Sequence, residues 1–244
     1  MDRDTYLAHI GSDGERLIEV AKGAPAAAIP SCPEWDMRAL VGHVASVHAW
    51  AANILENHLQ TRPHLRRVDE AVGDFHDISA DYESAFARLL AALEAAPDDD
   101  EVWNWRDRKP APAAFWFRRM AQETAIHRVD AELGGGVPSP IEASLAADGI
   151  GEFLGLLQRF IVYEPVEAMQ GSIAFSAADV GDEWRLALAP DHIEFIEGEV
   201  DATVRGGASD LYLWVLHRDD GDSAPLTVSG DRDVVERWRN VKFD

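Results

Sequence analysis

Through most of the first 137 residues apolar side chains recur at helical rather than alternating spacing, and Pro- or Gly-rich breaks cut that pattern into four long stretches. Residues 3–22 carry Tyr6, Ile10, Leu17, Ile18 and Val20 and end near Gly23. After the loop GAPAAAIPSCPEW, Asp36 is a good N-cap, and Trp35 and Leu40 stand at the two positions of a hydrophobic staple. Leu40, Val44, Val47, Ala51 and Ile54 then form a stripe that runs to about His58. The polar stretch from about 59 to 77 reads as a loop. Ser79 is the expected cap of a third helix carrying Tyr82, Phe86, Leu89, Leu90 and Leu93, stopped by PDDDE. A fourth helix is expected from Ala111 or Pro112 to Leu133, where GGGVPSP breaks it. Four long helices joined by loops predict an antiparallel bundle, a scaffold that houses metal sites between facing helices.

Beyond Pro140 the pattern changes. One more helix, IEASLAADGIGEFLGLLQRFI, leads into SIAFSA, EWRLALA, HIEFIEG and ATVRGG, which are short, partly alternating and separated by turn residues. A helix through DLYLWVLHR, a strand PLTVSG and a terminal helix DVVERWRNV follow. The expected fold class is therefore mainly α plus α+β: a four-helix bundle over residues 1–137, then a smaller α+β domain with an antiparallel sheet over 138–244.

Charge narrows the function. Twenty-two Lys and Arg stand against 44 Asp and Glu, a net charge of −22, so the field repels nucleic acid and anionic membrane surfaces. The short basic runs RRV at 66–68 and FRRM at 117–120 do not offset it. No apolar run approaches the ~20 residues that span a bilayer. The N-terminus MDRDTYLAHIGSDGERL lacks a basic region followed by an apolar one, so the expected location is the cytoplasm. A single cysteine, Cys32, rules out an internal disulfide framework and any multi-cysteine metal site. Pro33 follows it and no basic group lies beside it, so packing at the helix entry is its expected role.

Against this background Glu123 and His127, spaced i, i+4, project from one helix face as a pair of potential ligands. His43, on the second helix, adds an imidazole. Two His and one carboxylate leave a coordination position open, which is the ligand set of a catalytic divalent-metal site. The residues alone also allow a satisfied core histidine at 43 and an exposed ion pair at 123 and 127. Burial weighs against the second reading, because the pair shares a face with Trp116 and Met120, and a buried carboxylate needs a cation or hydrogen-bond partner. His48 is five residues from His43, about 140° round the helix, so it is a poor co-ligand and is expected at an interface or the surface. The aromatic group Trp103, Trp105, Phe115, Trp116 and Phe117 is expected to cap the bundle, with walling a pocket as the alternative.

Two segments carry a resemblance. CPEWDMRALVGHVASVHAW resembles the Cys-Pro-x-Trp-(Asp/Thr)-x-Arg-x-Leu-x-x-His helix start of the mycothiol-dependent maleylpyruvate isomerase family, and ETAIHRVDAE resembles its Glu-x-x-x-His-Arg-x-Asp helix. A Gly-Asp turn before a Trp-bearing terminal helix also fits. The resemblance implies a DinB-like bundle followed by a sterol-carrier-like domain. It puts the metal ligands on His43, Glu123 and His127, with zinc the usual ion, and the active-site Asp on Asp130. It also implies an active-site Arg in the second domain, with Arg218 the choice and Arg205 the competitor. His217 stands where many relatives have Gly. The implied cofactor is the low-molecular-weight thiol mycothiol, which removes the need for a catalytic Cys. In the family's type reaction its thiolate adds to the cis double bond of maleylpyruvate, and bond rotation and elimination give the trans isomer. Thiol transfer to another small electrophile, zinc-dependent hydrolysis and a non-catalytic metal- or ligand-binding module stay open. The expected partners are the thiol and a small-molecule electrophile, in a monomer or small homo-oligomer.

Overall fold

The computed structural model describes residues 1–65, 74–105, 111–159, 170–218 and 225–240. The RRV run and the last residues of the stretch ending RFI lie outside them. The chain divides into two compact units, Met1–Ser139 and Pro140–Asp244.

The first unit is built from α1 (Arg3–Gly23), α2 (Met37–Glu56), α3 (Phe75–Ala95) and α4 (Ala114–Gly135). α1 packs on α4 and α3, and α2 on α3 and α4. Asp2 and Asp36 cap the first two helices, accepting from the backbone N–H groups of Thr5 and Ala39, both at 2.9 Å. Leu40 belongs to an apolar cluster against which Trp35, its expected staple partner, and Cys32 both pack. The third helix starts earlier than expected. Asp74, not Ser79, is its cap, accepting from Asp77 N–H at 3.0 Å, while the Ser79 hydroxyl donates to the His76 carbonyl. Asp and Ser cap about equally well, and the earlier start adds a turn that buries Ile78 as well as Tyr82. Helix four begins at Ala114 because β1 (Glu101–Val102) and β2 (Ala111–Pro112) pair as a two-residue ribbon just before it. Trp50, Trp103, Trp105, Phe115 and Trp116 form one aromatic cluster, mostly edge to face but with Trp50 and Trp105 stacked, and Trp116 Nε1 donates to the Trp103 carbonyl. Where α1 crosses α3, Gly14 has no room for a side chain: a Cβ there would lie 2.4 Å from the Phe86 ring. The Gly14 carbonyl also accepts the Tyr82 hydroxyl.

His48 corrects the surface reading. It is fully buried at the junction of three helices, with the rings of Tyr82 and Phe86 at 5.7 and 5.8 Å. The angular argument separates it from the face of His43, but α3 covers the face it turns to. The Thr124 hydroxyl donates to the Met120 carbonyl, so its oxygen accepts from Nε2–H of His48 at 3.1 Å. That bond fixes the tautomer and leaves Nδ1 buried, with no hydrogen-bond partner among the described residues.

In the second unit α5 (Ala143–Arg159) packs on α6 (Ala208–Val215). The sheet order is β5-β4-β3-β6-β7, with β3 Gly171–Ala177, β4 Asp182–Leu188, β5 Ile193–Phe195, β6 Ala202–Gly206 and β7 Thr227–Gly230. Three ladders are antiparallel, as the short alternating segments suggest, but β3 pairs β6 in parallel. Alternation encodes which face a residue takes and not which neighbour its strand joins, so this crossover has no signature in the sequence. Phe175 on β3 packs against Trp214 of α6 and Trp238 of α7 (Arg232–Arg239), which puts both helices on one face. Helix α6 closes in a Schellman turn: His217 N–H donates to the Trp214 carbonyl and Arg218 N–H to the Leu213 carbonyl, with His217 at φ 57°. That left-handed backbone is what a glycine there would supply. No helix of the described residues is long and apolar enough to cross a membrane.

Burial holds the pKa of His48 down at about 3. The unfolded chain therefore takes up a proton below about pH 6.5 that the folded chain refuses, and stability falls as pH falls. This one group is expected to remove about 2 kcal/mol of stability between pH 7 and pH 5. Urea titrations at the two pH values should show that loss in the wild type and a loss smaller by about that amount in His48→Leu.

Candidate metal centre

Helix α2 presents His43 and helix α4 presents Glu123 and His127, and the three meet where those helices pack. One ligand atom from each side chain lies within 4.8 Å of the other two. Glu123 Oε1 is 3.2 Å from His43 Nε2 and 3.3 Å from His127 Nε2. Ligands about 2.0–2.1 Å from one tetrahedral ion sit about 3.3 Å apart, so both separations match edges of such a polyhedron. The three ligand side chains grade from buried to open: His127 is 9% exposed, Glu123 18% and His43 33%.

Sequence reasoning placed Asp130 beside this group, and the structure puts it there. Its Oδ2 is 2.8 Å from His127 Nδ1, and its Oδ1 accepts the Ser31 hydroxyl at 2.5 Å. Both oxygens are thus engaged, and the bond to Nδ1 fixes the orientation of the His127 ring. Three further residues at the site were not among those expected. Arg119 donates to Glu123 Oε2 at 3.0 Å, leaving Oε1 for the imidazoles. Its signal was legible: Arg119, Glu123 and His127 form one i, i+4 ladder. Ser31 and Trp35 come from the loop before α2, and the Trp35 indole lies 4.8 Å from the ring of His43 and 6.1 Å from that of His127. Arg218 and Arg205 belong to the second unit. There Arg218 is half-buried and donates to the Leu216 carbonyl at 3.2 Å, and Arg205 is exposed and donates to Ser176 Oγ at 2.8 Å.

The electrostatics call for a cation. Burial works against ionisation of Glu123, but its hydrogen bonds to His127 and His43 and the charge of Arg119 hold the carboxyl well below the usual range. Burial also opposes charge on His127, yet Asp130 and Glu123 together raise it to about 9. Two carboxylates thus bracket one buried imidazole with a single guanidinium to offset them. A proton on His127 fills the gap that a divalent ion would fill more fully. Once such an ion displaces that proton, two nitrogens and one oxygen lie close enough together to serve it.

The fold and the site together describe a helical bundle with an open two-His, one-carboxylate centre. Residues 7–132, just over half the chain, match the family model described as the mycothiol maleylpyruvate isomerase N-terminal domain, and the chain belongs to that family. Two solved structures share the architecture across both units. The mycothiol-dependent maleylpyruvate isomerase is 16% identical, and a His-to-Ala mutant of it is 15% identical. Each has a TM-score of 0.69, with 95% of both chains covered. No curated protein sequence matches the chain.

Replacing Asp130 by Asn keeps the shape but reverses one hydrogen-bond preference at His127. Competition against a chromophoric chelator should show zinc affinity lowered by about 10- to 100-fold, with an unchanged helical circular-dichroism spectrum.

Proposed function

We propose that the protein is a mycothiol-using enzyme in which His43, Glu123 and His127 hold a catalytic divalent metal, zinc being the ion this donor set suits. The observation that carries the reading is the open triad. Among the described residues no fourth His, Cys, Asp or Glu joins the group, and its most exposed member, His43, faces the solvent side. A structural zinc site would be closed by a fourth protein ligand.

A bound divalent ion supplies the charge that favours a thiolate over a thiol at neutral pH. The remaining work falls to the protein. Asp130 keeps the Nε2 lone pair of His127 turned into the site. Arg119 keeps Glu123 ionised and one of its oxygens turned the same way. Cys32 packs against an apolar cluster, so the nucleophilic sulfur has to come from a low-molecular-weight thiol. Arg218, with Arg205 as the competitor, is the proposed bidentate clamp for a substrate carboxylate. A net charge of −22 disfavours an anionic substrate at long range, which makes such a local cation necessary.

The substrate is a small electrophile such as an unsaturated diacid, and the reaction is either isomerisation or thiol transfer. As an isomerase the protein would use the thiol as a transient nucleophile and return it unchanged; as a thiol transferase it would consume one thiol per product. A cytoplasmic location, with its pool of reduced thiols, suits either.

Two measurements test this. Zinc-loaded protein given mycothiol and maleylpyruvate should form the trans isomer with a constant thiol titre if it is an isomerase, or lose one thiol per product if it is an S-transferase. Turnover that is indifferent to mycothiol would point to hydrolysis and overturn the proposal. Separately, His43→Ala and His127→Ala should each purify without the roughly one ion per chain of the wild type, keeping only a weak residual affinity for added zinc, while the helices stay folded. Unfolding on metal loss would make the ion structural.

A further inference from the structure

The two imidazoles of the triad are held in different ways. His127 has its second nitrogen bonded to a buried carboxylate, which a serine fixes from the other side. His43 makes one hydrogen bond among the described residues, from Nε2 to Glu123, and its Nδ1 has no protein partner there. What touches the ring instead is the indole of Trp35, at 4.8 Å between centroids and a tilt of 42°.

Trp35 is itself rigidly presented. Its N–H donates to the Cys32 carbonyl at 2.8 Å, and its carbonyl accepts from Ile29 N–H at 3.0 Å. On the next residues Asp36 bridges Ala28, Met37 N–H donates to the Ala27 carbonyl at 2.8 Å, and the Asp36 side chain caps α2. Ser31, inside the same loop, is tied to Asp130 on α4. The loop backbone is therefore clipped at both ends and in the middle, and the indole it carries packs on one side against the apolar cluster and on the other faces the His43 ring. A ligand imidazole ordinarily gains its orientation from a hydrogen bond at the second nitrogen. Without one, a one-third exposed ring keeps its rotamer freedom and has to give it up on binding an ion.

We propose that Trp35 is the positioning residue for His43: its ring packing takes the place of the hydrogen bond that Asp130 provides to His127. The proposal rests on the reading of the triad as a metal centre. The Cys-Pro-Glu-Trp loop is then part of the centre rather than only a helix entry. Trp35 acts on the metal through His43 and touches no reacting atom.

The test is a cycle of zinc affinities, each measured by chelator competition on the full chain, with thermal melts of the metal-free forms beside them. Trp35→Ala is expected to weaken zinc by about 10- to 100-fold, and Trp35→Phe, which keeps a ring, to recover most of that loss. In a His43→Ala background Trp35→Ala should have no further effect, because the side chain it positions is gone. In an Asp130→Asn background the two losses should multiply. Loosening of the loop alone would lower the melting temperature of the metal-free protein and persist undiminished in the His43→Ala background, and that result would overturn the proposal. So would an affinity for zinc unchanged by Trp35→Ala. Should the wild type bind no zinc, the reading of the triad falls and takes this inference with it, whereas failure of the cycle in a zinc-binding protein sinks the Trp35 role alone.

Discussion

Two carboxylates on helix α4, Glu123 and Asp130, are turned inward, and a buried ionised carboxylate without partners costs several kcal/mol. Much of the first unit is arranged to meet that demand. Arg119 and His127 lie one turn to either side of Glu123 on the same helix, α2 brings His43, and the loop before α2 brings Ser31 to Asp130. The opposite face of α4 repeats the pattern for another purpose. Arg128 and Glu132 pair at 2.7 Å, and Glu132 also accepts from Arg16 on α1 and from the Ser139 backbone and hydroxyl. One face of the helix gathers ligands and the other ties down α1 and the chain leaving the bundle.

These partners do not make the candidate site self-sufficient. Around His127 the negative groups outnumber the fixed positive one, and the imidazole takes up a proton to compensate. A cation that displaces this proton would meet two nitrogens and an oxygen on facing helices. Openness adds the second half of the functional reading. Asp130 is fully engaged and His43 is one-third exposed, and among the described residues no fourth His, Cys, Asp or Glu joins the group.

Much of this was legible in the sequence. Long helices announce themselves by periodicity, and the spacing of Glu123 and His127 places both side chains on one face whatever the surroundings. What escaped did so for physical reasons. Helix α4 is buried nearly all round: Trp116 and Met120 mark the face of Glu123 and His127, but no apolar stripe announces that Arg128 and Glu132 are buried on the other side. The Asp74 cap lies inside a polar run that reads as loop. His48 was assigned by its angle from His43, and angle alone does not tell whether a third helix covers that side. The parallel pairing of β3 with β6 depends on a chain crossover that residue alternation does not record. Trp35 was read as half of a staple, but its other use, against the ring of His43, exists only once α4 has brought His127 and Glu123 to the same place.

The most direct test of the central claim is a calorimetric titration of mycothiol into the protein in metal-depleted and zinc-loaded forms, with Glu123→Ala as the control. Saturable binding that appears only in the zinc-loaded wild type is the expected result, because the open position exists only when all three ligands hold an ion. Equal binding to the metal-free protein, or no binding to the loaded one, would contradict the account and separate the thiol from the triad.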